Sequence, residues 1–137
     1  MNHKMYRIFL NILFLTIFHP GNLNLKVVVK QIQKEKGNIV VEVYNNQHDF
    51  FKKAIVTQTV KATNEKIEFS FDLPHGDYAL AAYQDLNENK VLDKGWFSIP
   101  KEPYGLSNNY RPKFSAPTFE DCRFALTKDT ALNIILK

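Results

Sequence analysis

The stretch from Ile67 to Tyr83, IEFSFDLPHGDYALAAY, decides the fold class. Ile67, Phe69, Phe71 and Leu73 alternate with Glu68, Ser70 and Asp72. A two-residue period puts the first set on one face of a strand and the second in water. Pro74-His75-Gly76-Asp77 is a turn by composition. Tyr78 to Tyr83 is then apolar on both faces, as a central strand of a sandwich is.

The same period continues on both sides. Upstream, Leu25, Val27 and Val29 form one strand and Ile39, Val41 and Val43 another, around a turn at Lys36-Gly37-Asn38. NNQHDFFKK reads as a turn with a short helical piece, with Phe50 and Phe51 capping the core. Ala54 to Ala62 gives a further strand, with Val56 and Val60 on one face. Downstream, Cys122, Phe124 and Leu126 alternate with Asp121, Arg123 and Ala125, and Leu132, Ile134 and Leu136 make the last strand. The expectation is an all-β chain: a single antiparallel β-sandwich of about seven strands, transthyretin- or immunoglobulin-like, with one long loop between Asp85 and Tyr110. Phe69, Phe71, Tyr78, Leu80, Ile134 and Leu136 are its expected core.

The first residues stand apart. Lys4 and Arg7 precede the apolar run Ile8 to Phe18, and His19-Pro20-Gly21 follows. A basic start, a short apolar core and then helix breakers read as a secretory signal peptide, placed at residues 1–23, with the sandwich at 24–137. The run falls short of the roughly 20 apolar residues a membrane span needs, so no transmembrane span is expected in the mature chain. The expected location is periplasmic or extracellular. Two of the 18 basic residues, Lys4 and Arg7, belong to that segment, and the other lysines are scattered over strands and loops. That distribution does not suggest nucleic-acid binding. Cys122 is the only cysteine, so no internal disulfide can form. His3, His19, His48 and His75 lack the spacing of a zinc site.

The long loop holds the candidate site. Asp85, Asn87, Asn89 and Asp93 form the pattern D-x-N-x-N-x-x-x-D, which with the Val91 carbonyl can wrap a hard cation such as calcium. The pattern resembles the first half of an EF-hand loop, but Lys90 replaces the turn glycine and Trp96 the bidentate glutamate. Calcium affinity is therefore expected in the weak extracellular range, about 10⁻⁴ to 10⁻³ M. The plainer reading is an Asx-rich turn whose side chains bond their own backbone. Further along, Trp96, Glu102, Tyr104, Ser107, Asn108 and Asn109 mix aromatic faces with amides and hydroxyls. Such a mixture suits a polar small molecule or a carbohydrate, or a surface that docks on another envelope protein. The plainer reading of that half is a proline-stiffened connection whose tyrosines cover the end of the core.

The run GDYALAAYQDLNENKVLDKGWFSIPKEPYGLSNN resembles the signature of the bacterial family called domain of unknown function 2141. Gly76, Tyr78, Ala79, Asp85, Asn87, Asn89, Asp93, Ile99, Pro100, Glu102, Tyr104, Gly105, Ser107, Asn108 and Asn109 match its pattern. Lys90 and Pro103 stand for glycines, Ser98 for the glycine before Ile99, and Leu106 for an aromatic. The resemblance implies an exported β-sandwich of unestablished function. The chain is thus read as a binding or structural module of the cell envelope, with no catalytic residue assigned. The alternatives are an accessory domain and a hydrolase built on the carboxylates Asp85, Asp93 and Glu102.

Overall fold

Alternation of β-branched and aromatic residues with polar ones produces eight strands in a computed structural model that describes residues 21–95 and 99–137. The expected export segment as far as Pro20, and Trp96, lie outside the described residues. The strands are β1 (Leu23–Lys30), β2 (Asn38–Tyr44), β3 (Val56–Lys61), β4 (Lys66–Leu73), β5 (Gly76–Asp85), β6 (Tyr104–Leu106), β7 (Phe124–Leu126) and β8 (Thr130–Ile135). β1 begins one residue before the expected domain boundary, and Leu23 pairs with Leu73.

Two sheets result. One has the order β4-β1-β8, and the other the order β3-β2-β5-β6, with β7 continuing the β6 edge of β5. Every pair is antiparallel except β1 with β8, which runs parallel. The sandwich expectation holds with that one change. β1 and β8 lie near opposite ends of the chain, so no short turn constrains their relative direction.

The sheets bury their facing sides against each other. Leu25, Val27 and Val29 of β1 meet Ile39, Val41 and Val43 of β2, Phe69 and Phe71 of β4, and Tyr78 and Leu80 of β5. Leu25, Val27 and Val29 are fully buried, worth about 1.5–3 kcal/mol each as an upper bound. The expected core residues Ile134 and Leu136 are buried as well. Tyr78 keeps its hydroxyl satisfied by donating to the Pro74 carbonyl oxygen at 2.7 Å. At the end of the core, buried Gln84 donates to the Gln33 and Lys36 carbonyls at 2.7 and 2.6 Å and accepts from the Gln33 amide at 2.9 Å. No buried side-chain polar atom among the described residues is left without a partner.

A second cluster covers the outer face of the larger sheet. Tyr44, Ala79 and Ala81 point away from the sandwich and pack with Phe50, Leu106, Phe119 and Cys122. Phe50 therefore caps this outer face and not the core. Phe51 stacks on Phe50 at 4.0 Å between ring centres but stays 40% exposed. Val60, on the same face as Val56, is also 40% exposed, because β3 is an edge strand.

Cys122 is not in a strand. It ends a single helical turn, α1 (Phe119–Cys122), which opens with a capping box. The Thr118 hydroxyl accepts from the Asp121 amide at 3.2 Å, and the Asp121 carboxylate accepts from the Thr118 amide at 2.8 Å.

Candidate functional site

The expected long loop is shorter and more structured than its composition suggests. β5 runs to Asp85, the chain turns back through a bridge between Lys94 and Pro100, and β6 starts at Tyr104. Asp85 is almost fully buried, and its carboxylate accepts from the Asn89 amide at 3.1 Å and the Lys90 amide at 2.7 Å. Asn87 and Asn89 accept in turn from the Asn89 and Val91 amides, at 3.3 and 3.0 Å. Their amide groups donate to Asp93, from Asn87 at 2.6 Å and from Asn89 at 2.9 Å. The buried Glu102 carboxylate closes the loop by accepting from the Leu86 amide and the Asp93 amide, each at 3.0 Å. Asp85, Asp93 and Glu102 thus each hold backbone or side-chain amides.

The turn is tight enough to demand special backbone. Glu88 and Lys90 take positive φ, 57° and 64°. Gly37, also at positive φ, packs against the end of β5 so closely that a Cβ there would overlap the Asp85 carbonyl oxygen.

Ser107, Asn108 and Asn109 form a 3₁₀ turn after β6. The buried Ser107 hydroxyl donates to the Cys122 carbonyl at 2.5 Å and accepts from the Leu80 amide at 2.9 Å. Asn108 donates to the Arg123 carbonyl at 2.9 Å. Asn109 accepts from the Ile135 amide at 3.1 Å and donates to the Asn133 carbonyl at 3.3 Å. Those two bonds are what a neighbouring strand would give β8. The Tyr104 and Lys137 backbones exchange two more at 3.1 Å, so this turn seals the seam between the two sheets.

A cleft of about 720 Å³ lies on the outer face of the larger sheet. Its floor follows from strand register. Ala81 sits between Glu42 of β2 and Leu106 of β6, and Tyr83 pairs with Tyr104. A methyl group flanked by larger side chains leaves a hollow. At the Ala79 end of the face, Phe50, Phe119 and Cys122 fill it; at the Ala81 end it stays open. Tyr44 donates to Glu42 at 2.7 Å, and Tyr83 donates to the Lys90 carbonyl at 3.2 Å, which ties the Asp85 loop to the floor. Arg111 lies over the Tyr104 ring at 4.8 Å and donates to the Tyr104 and Ile135 carbonyls. The walls are Lys90, Val91, Leu92 and Lys94 with Ile99 and Pro100 on one side, and the segment Pro112 to Pro117. Volume and lining fall in the range of small-molecule sites.

A protein-family model for uncharacterized proteins conserved in bacteria, DUF2141, matches residues 27–134, which is most of the chain. The chain belongs to the DUF2141 family. No curated protein and no solved structure matches it. In this DUF2141 chain the motif residues divide by task. Asp85, Asn87, Asn89, Asp93 and Glu102 build one hydrogen-bonded loop, while Ser107, Asn108 and Asn109 lock the seam. Of the residues expected to face a ligand, Tyr104 lines the cleft, as does Val91. Glu42, Tyr44 and Tyr83, which belong to no motif in the sequence, line it too. Their signal was available: they alternate with the inward Val41, Val43 and Ala82, which puts a carboxylate and two tyrosines together on the outward side of β2 and β5. Burial first, then the neighbouring Glu42, pushes both phenols well above their ordinary value, so they stay protonated hydrogen-bond donors.

Proposed function

We propose that this DUF2141 chain is an exported binding module of the bacterial cell envelope and that the cleft over Ala81 is its ligand site. The cleft carries the reading, because it joins a carboxylate, three tyrosines and an apolar rim in one concavity. Export is supported by the basic and apolar residues from Lys4 to Phe18, and cleavage before Leu23 would leave β1 whole. Among the described residues no helix is long and apolar enough to cross a membrane. The test is thermal unfolding against a panel of oligosaccharides and small polar metabolites, in wild type, Glu42→Gln and Tyr104→Ala. A true ligand raises the wild-type midpoint by mass action and does so less in both variants. Shifts that persist unchanged in both variants, or no shift from any compound, would sink the cleft as the site.

A second reading concerns the loop, since Asp85, Asn87, Asn89 and Asp93 meet in one turn. We propose that this turn takes calcium weakly. Two carboxylates and two amides fit a hard cation once the amides rotate their oxygens inward, and Lys90 keeps the affinity low. Millimolar calcium is then expected to raise the unfolding midpoint relative to chelator in wild type, and less in Asp93→Asn. Equal wild-type midpoints in both conditions leave a turn held by its own hydrogen bonds.

A further inference from the structure

The rim of the cleft differs in character from its floor. Phe114 is fully exposed, and Ile99 and Val91 are 62% and 59% exposed, all three around the same opening. Free-standing apolar side chains are ordinary when scattered, but gathered around one concavity they mark a surface that something apolar covers. Lys52, Lys90, Lys94 and Lys113 stand among them, and among the described residues Glu42 is the only acidic one lining the cleft. None of those four lysines is in an ion pair among the described residues, whereas Lys26 and Arg123 are. Glu42 is itself engaged by Tyr44. Four cations around an apolar mouth favour a ligand with an acidic head and an apolar body.

Resting on the cleft as ligand site, we propose that its ligand class is a monomeric anionic amphiphile, with the acidic head held by the rim lysines and the apolar part over Ala81, Leu106 and Phe114. A single molecule is favoured over a membrane surface because the exposed apolar groups surround a hollow. A bilayer is flat and would leave the tyrosine floor uncovered. The charge preference is a screened interaction and falls with salt.

The experiment is calorimetric titration with dodecyl phosphate and with dodecyl maltoside, both below their micelle-forming concentrations, at low and high salt. The proteins are wild type, the Lys94→Gln/Lys113→Gln double variant, Phe114→Ala and Tyr104→Ala. Because Lys94, Lys113 and Phe114 lie on the surface, these variants are expected to unfold at the wild-type midpoint, which is measured alongside. Wild type should prefer the phosphate by about tenfold at low salt, as two or three exposed charge contacts supply. The double variant should lose that preference while keeping its affinity for the maltoside, and Phe114→Ala should weaken both. Equal affinity for the two amphiphiles, reduced in Tyr104→Ala, overturns the anionic class and leaves the cleft standing. Binding of neither, while a polar compound shifts the midpoint, overturns the amphiphile alone. Binding of neither with no such shift overturns both readings. Sedimentation with phosphatidylglycerol vesicles without binding of monomeric dodecyl phosphate overturns the proposal in favour of membrane docking.

Discussion

Lys90 occupies the position where the family pattern has glycine, and it sits at φ 64°. A side chain in the left-handed region costs about 1–2 kcal/mol, partly offset by the lower entropy of a non-glycine unfolded chain. Lys90→Gly is therefore expected to stabilise the protein by up to about 1 kcal/mol in denaturant unfolding, since the bond from its amide to Asp85 is kept. A loss of stability would mean that the lysine side chain holds the loop in some other way. Cys122 makes the opposite case, a residue whose chemistry is suppressed. It is fully buried, and burial pushes its thiol up to about 12, so the thiolate is absent at neutral pH. A thiol reagent at pH 8 should leave the native protein unlabelled and modify one thiol after unfolding. Rapid native labelling would show that the outer-face cluster opens.

At the scale of elements, α1 is one turn long and owes its existence to its cap. Thr118→Ala should cost about 1 kcal/mol, as other N-cap losses do. The Asp121 carboxyl is held below its ordinary 3.8, first by the Thr118 backbone and then by its hydroxyl, against a smaller opposing effect of burial. A depressed folded pKa means that this contribution is complete above about pH 4 and disappears as pH falls through the lower folded value. The acid limb of the stability curve should therefore be shallower in Thr118→Ala than in wild type. Identical limbs would remove the capping box as a source of acid sensitivity. The alternation of Cys122, Phe124 and Leu126 looked like one continuous strand. Arg123, extended at the C-cap, separates α1 from β7 and converts that alternation into two elements.

For the whole molecule, the seam between the sheets is the decisive contact. Gly105 of β6 passes so close to β8 that a Cβ would lie 2.5 Å from the Ile134 side chain and 2.7 Å from the Ile135 carbonyl oxygen. The Ile135 backbone and the fully buried Ile134 leave little to yield, so Gly105→Ala should cost about 1–3 kcal/mol, as overpacking does. Unfolding with a wild-type midpoint would show that the seam is looser than its geometry. The same seam explains why the S-N-N residues are engaged by backbone from β5, α1, its C-cap Arg123 and β8 instead of facing a ligand.

Two-residue alternation by itself determined most strands and the inward core of this protein, because a strand facing one sheet must place every second side chain inside. Asx spacing likewise determined that Asp85 to Asp93 would close on itself, since those bonds span only a few residues. The tertiary structure alone decided what no local pattern encodes. Glu102 reaches back 16 residues to Leu86, and Asn109 replaces a strand beside β8, 26 residues on. The cleft exists because register sets Ala81 between Glu42 and Leu106. A hollow is a relation among residues distant in the chain, and only sheet pairing brings them into one row.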